Sequence, residues 1–155
     1  MTNIMSQMQL RDYALLLLNV EANPKFNPEK NQHSESSMGI NFNFFKKEKE
    51  DEKAFRIELD VVVNTDEKIF RNSPYRIRIK LQSFIEFDKN IEEKNIAPLL
   101  MQNGLAMTYS IARGIVGQAT GTSLHNKFLL PTVNFVELIK NKIENEKKKK
   151  KLKKL

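Results

Sequence analysis

Apolar residues alternate with polar ones through the first half of the chain and recur at helical spacing through the second. Residues Met8 to Ala22 predict a first strand, with Met8 and Leu10 alternating early and Leu16, Leu18 and Val20 later; the change of phase across Tyr13 to Leu16 predicts a bulge. Asn23 to Ser37 is rich in Asn, Pro, Lys, Glu and Ser, which predicts a long loop or crossover. Met38, Ile40, Phe42 and Phe44 then alternate with Gly39, Asn41 and Asn43, a half-buried strand that stops before a charged turn over Lys46 to Lys53. Phe55, Ile57, Leu59, Val61 and Val63 alternate with Arg56, Glu58 and Asp60. The fourth strand sets Tyr75, Ile77, Ile79, Leu81, Ile85 and Phe87 on one face and Arg76, Arg78, Lys80 and Gln82 on the other. Such period-two patterns mean one covered face and one wet face.

After Phe87 the period changes. Between Ile96 and Asn126 only Arg113 carries a full charge, in a chain that is 29% charged. Apolar residues there lie on more than one side of a helix, which predicts a packing spine that starts near Ile96, carries Pro98 in its first turn and stops in a left-handed Gly121. Gly104, Gly114 and Gly117 inside it cost about 1 kcal/mol each relative to alanine, so each predicts close approach of another backbone. A loop over Thr122 to Thr132 follows. Asn134 with Glu137 then reads as a capping box opening a second helix, whose stripe is Phe135, Leu138, Ile139 and Ile143. Four strands followed by two helices predict an α+β fold: a four-stranded antiparallel sheet with a long helix and a shorter C-terminal helix packed on one face.

Composition narrows the picture. The 155 residues, 40% hydrophobic, suffice for one domain, taken as 1–143, followed by a lysine-rich tail over 144–155. The chain lacks cysteine, which excludes disulfides and thiolate metal sites. His33 and His125 are its only histidines and read as surface residues, so no metal or other cofactor is expected. The Leu15 to Leu18 run has no basic segment before it and is too short to span a bilayer, which favours a cytoplasmic protein. The net charge of +7 sits entirely in Lys147 to Lys151, Lys153 and Lys154; without these seven, 19 basic residues face 19 acidic ones. That tail reads as a solvated helix end or appendage, and nucleic acid or anionic membrane would be met only through it. No Walker loop, serine elbow or HExxH motif occurs, and the carboxylates Glu48, Glu50, Asp51 and Glu52 are mixed with lysines in a turn. A non-enzymatic binding or assembly domain is the reading.

The LeuLeuProThrValAsnPhe run at 129–135, entering a short amphipathic helix, resembles the carboxy-terminal signature of the SecB export chaperones. Tyr109 to Gly121, with Ala112 and Arg113 near the tyrosine, is similar to that family's long first helix, and ValGluAlaAsnPro at 20–24 before a crossover resembles its first strand. The likeness runs from Met8 to about Ile143 and implies a divergent SecB-like protein.

What the resemblance implies is an ATP-independent holdase, a homotetramer built as a dimer of dimers, with long helices sandwiched between sheets and unfolded polypeptide clients held in hydrophobic grooves. The groove candidates are Ile40, Phe42 and Phe44 from the second strand, Met101, Leu105 and Tyr109 from the long helix, and Leu138 and Ile139 from the last one. Gly104, Gly114 and Gly117 are the candidates for the oligomer interface. The chain also departs from the family. Members that dock on the SecA translocation motor present an acidic sheet surface, whereas the matching positions here are Leu17, Glu21, Arg76 and Arg78, arginines that oppose SecA docking by that route. The alternatives are general protein export and a dedicated client, such as the antitoxin of a toxin-antitoxin module. A different class of reading is a structural or interaction protein working through the lysine tail.

Overall fold

In the computed structural model, which describes residues 4–30, 36–48 and 53–154, the alternating segments become one antiparallel sheet in the order β1-β4-β3-β2. The strands are β1 (Met8–Ala22), β2 (Met38–Lys46), β3 (Ala54–Val63) and β4 (Tyr75–Phe87). Because β1 and β2 occupy opposite edges, the segment between them must cross the full width of the sheet, about 14 Å at the usual strand spacing. That need accounts for the long polar stretch after Ala22.

Register explains the burial. Ile57, Leu59, Val61, Ile77, Ile79 and Leu81 point to one face and are at most 1% exposed, while Arg56, Glu58, Arg76 and Arg78 point to the other. Ser83 takes an inward position between Leu81 and Ile85, and its hydroxyl lies 2.6 Å from that of Thr108, which also donates to the Gly104 carbonyl. This buried pair satisfies itself and ties helix to sheet. Strand β1 carries two register shifts, at Leu10/Asp12 and Leu15/Leu17, where one had been expected.

The helical half begins earlier than its apolar spacing suggests. α1 (Glu67–Phe70) is a single turn, capped by Asp66 through the Lys68 and Ile69 amides, and too short to show any period in sequence. α2 (Glu93–Leu99) passes into a π-helical turn, Leu100–Gly104, and then into α3 (Leu105–Gly121). The π turn accommodates an extra residue, so Leu100 and Leu105, five apart, both end up buried in the core. Part of the apolar character on several sides of the spine comes from this change of phase. Gly121 is not a left-handed stop: no described glycine has positive φ, and Asn126 (φ 64°) adopts that conformation in the next loop.

α4 (Phe135–Lys153) is capped by the Asn134 side chain, which accepts from the Glu137 amide at 3.2 Å. It runs unbroken across the expected boundary at residue 143 and has no fully buried residue. His33, Glu50, Asp51 and Glu52 lie outside the described residues. His125 is not a plain surface residue: its Nε2 lies 2.6 Å from the Asn23 carbonyl, and its amide donates to the Tyr75 hydroxyl.

Candidate functional site

One partly apolar, open surface lies where α4 crosses the free edge of β2. In β2, Gly39, Asn41 and Asn43 face away from the helices, while Ile40, Phe42 and Phe44 face them. α4 brings Leu138 and Ile139 to the same place, one turn past its cap. Two adjoining clefts result. One, of about 490 Å³, lies between Ile40, Phe42 and Leu138; the other, of about 200 Å³, lies between Phe42, Phe44, Met101, Ile139 and Ile143. Phe42 forms the shared floor, edge-to-face with Phe44 at 5.6 Å between ring centroids.

Between the two clefts stands Lys142. Its ammonium donates to the Phe42 carbonyl and sits 4.1 Å above the Phe42 ring. Sequence reasoning passed over it, because one lysine in a lysine-rich helix carries no signal by type; its position three residues after Ile139 is the only hint. The groove therefore combines apolar walls with a polar rim: Asn41, Asn43, Asn141, Asn145 and Glu146, with Lys142 between the clefts and Lys149 at the far end. Among the described residues no group of three His, Asp or Glu could hold a metal.

Six of the eight groove candidates meet here: Ile40, Phe42, Phe44, Met101, Leu138 and Ile139. Leu105 and Tyr109 do not. Leu105 is fully buried and Tyr109 is 2% exposed, so both belong to the core beneath the groove. Tyr109 instead donates to the Pro131 carbonyl at 2.6 Å and stacks edge-to-face on Phe135, which fixes where α4 begins. Burial raises its phenol pKa, an effect that nearby Arg113 partly opposes.

The family profile described as preprotein translocase subunit SecB matches residues 8–146, from β1 to within α4. The chain belongs to the SecB family. Its fold is similar to the Mycobacterium tuberculosis Rv1957 SecB-like chaperone, solved in complex with a ChAD peptide from the Rv1956 HigA1 antitoxin, at a TM-score of 0.57 and 13% identity over 83% of this chain and 91% of that one. A Streptococcus agalactiae protein of unknown function is similar at a TM-score of 0.49 and 11% identity, over 81% of this chain and 97% of that one. No curated protein sequence matches.

In this SecB-family chain the 129–135 motif is a clasp. Leu130 is fully buried, and the only charge of the spine, Arg113, donates from Nε to its carbonyl at 2.8 Å. Thr120 accepts from the Phe128 amide at 2.8 Å. The 20–24 motif is another: the Asn23 side-chain Nδ2 lies 3.1 Å from each of the Phe70, Arg71 and Ser73 carbonyls, locking the end of β1 to the α1 turn. Both motifs hold loops in place rather than touch the groove.

The interface glycines divide. A Cβ on Gly104 would stand 2.9 Å from Ile57 Cδ1, and one on Gly117 would stand 3.4 Å from Leu129 and Lys127, so both serve packing within the chain and neither is an open interface position. Gly114 has nothing within 4 Å. It lies on the side of α3 away from the sheet, on an uncharged stripe with Met107, Ser110, Ile111 and Gln118.

The outward face of the sheet is also unlike its sequence reading. Arg76 bonds Glu21 at 2.9 Å and Glu67 at 3.0 Å, and Arg78 bonds Asp60 at 2.8 Å. Hydrogen bonds to Glu21 and Asp60 respectively are the main cause that raises these guanidinium pKa values. The expected patch of Glu21, Arg76 and Arg78 is thus a paired network and not unopposed positive charge.

Proposed function

We propose that this SecB-family chain is an ATP-independent holdase that binds unfolded polypeptide in the groove between β2 and α4. The observation that carries the reading is that groove itself. A SecB-family fold here leaves Phe42, Phe44, Met101, Leu138 and Ile139 around two open clefts, with a wall, α4, that has no buried residue and can adjust to different side chains. No nucleotide site or metal enters the scheme. Clients would be extended, apolar segments delivered for export or, as with the ChAD peptide in the similar M. tuberculosis structure, a dedicated antitoxin segment.

The working particle is proposed to be a cytoplasmic homotetramer, a dimer of dimers. Two uncovered apolar surfaces support it: the outer stripe of α3, and the middle of edge strand β1, where Tyr13, Leu15, Leu16 and Leu17 are 40–54% exposed. No helix among the described residues is long and apolar enough to cross a membrane. Docking on SecA through an acidic sheet surface is not part of this proposal, since the matching positions hold arginines already bound to carboxylates.

Suppression of aggregation of a chemically unfolded test protein checks the reading. The intact chain is expected to suppress it, and Ile139→Asp is expected to weaken client affinity by about tenfold, because it sets a carboxylate against an apolar segment. Asn19→Asp on the outward face should change nothing. An inactive intact chain, or an Ile139→Asp chain as effective as the parent, would refute the proposal.

A further inference from the structure

We propose that residues 147–154 form a nucleic-acid-binding arm that grips the phosphodiester backbone without reading base sequence. This inference is independent of the holdase reading. The neutral body of the protein places the whole +7 on this arm. α4 is helical through Lys153, and every lysine from Lys147 to Lys154 is exposed. Among the described residues none of the seven has an acidic side chain within ion-pair distance.

Geometry selects the partner. Eight helical residues rise about 12 Å, so seven charges give one per about 1.7 Å of axis. Duplex DNA carries one phosphate charge per about 1.7 Å of its own axis. At about 100° per residue the seven ammonium groups also surround the helix, with no gap wider than about 100°. A flat anionic membrane could meet only about half of them at once, and a membrane-lying helix needs an apolar face, whereas Leu152 is the only apolar residue described between 147 and 154. A nucleic-acid groove, walled by phosphates on two sides, can engage cations around the circumference. Like charges at the i, i+4 pairs Lys147/Lys151, Lys149/Lys153 and Lys150/Lys154 repel in the free protein, so counter-charge stabilises the helix it binds. Lys149 already lines the outer end of the groove, which places bound nucleic acid at the groove's mouth.

Fluorescence anisotropy of the full chain with a labelled duplex DNA and a labelled single-stranded RNA, each about 20 nucleotides long, tests this. With five or six phosphates neutralised, duplex affinity should fall about a thousandfold between about 50 and 200 mM salt, and the single strand should show a shallower slope; the tighter of the two identifies the source of the phosphate. Substituting all seven lysines with Gln should lower affinity at least a hundredfold at low salt, the seven Arg substitutions should restore it, and Lys148→Gln with Lys150→Gln should lower the logarithmic salt slope by about two. Circular dichroism confirms that each variant folds. Equal binding by the seven-Gln chain, no salt-dependent binding by the parent, or tighter binding to phosphatidylglycerol vesicles than to either nucleic acid would overturn the proposal.

Discussion

Gly104→Leu should cost about 3 kcal/mol or more of folding stability and leave little folded protein at 37 °C. Even one added carbon would stand 2.9 Å from Ile57 Cδ1 and 3.5 Å from Leu100 Cδ1, both on buried core side chains. A leucine adds three carbons more, and overpacking a closed core costs typically 1–3 kcal/mol, about 3 or more at a site this tight. Relieving the clash by shifting the π turn that ends at Gly104 would move Leu100 or Leu105 off the sheet and expose large apolar side chains. Gly121→Ala is the control: nothing lies within 4 Å of its Cβ position, so stability should change by no more than about 1 kcal/mol. Urea midpoints measure both. A Gly104→Leu chain within about 1 kcal/mol of the parent would mean that α3 does not pack on β3 as described.

Ile111→Asp should break the proposed tetramer while leaving the chain folded. Ile111 is only half-buried, on the uncharged stripe with Met107 and Gly114, and in the single chain nothing covers Gly114. If two such stripes meet across a two-fold axis, two carboxylates enter the interface, one from each chain, unpaired and desolvated. The expected loss is about 3 kcal/mol or more per dimer contact, or at least a hundredfold in the association constant. Sedimentation should show the parent as a tetramer and the variant as a smaller particle with unchanged circular dichroism. A variant of parental size would remove α3 from the interface.

Much of the fold was legible because the sheet has one wet face. Where covered and wet positions alternate, as in β4 from Tyr75 to Phe87, the strand can be read residue by residue. The π turn could not be read so, since apolar spacing alone does not tell a phase shift from a second buried face; the five-residue step from Leu100 to Leu105 is its trace. The resemblance assigns Leu105 and Tyr109 to the groove, but both are buried beneath it. β2 alternation and α4 periodicity mark Phe42, Phe44, Leu138 and Ile139 as inward-facing, but that the two faces meet in one groove is what the SecB resemblance implies. The pairing of Arg76 with Glu21 and Glu67 was invisible in sequence: those residues are brought together by the strand order, which no local pattern encodes.

The extent of α4 escaped for a related reason. Past Ile143 its sequence has no apolar stripe, only charge, and charge by itself does not separate a helix from an unstructured tail.

Site-specific photocrosslinking to an unfolded client tests the groove most directly. A photoreactive residue at Phe44 or Ile139 is predicted to capture the client, while one at Asn19 or Lys80 on the outward sheet face is predicted to capture little. Capture from the outward positions with none from Phe44 and Ile139 would contradict the account.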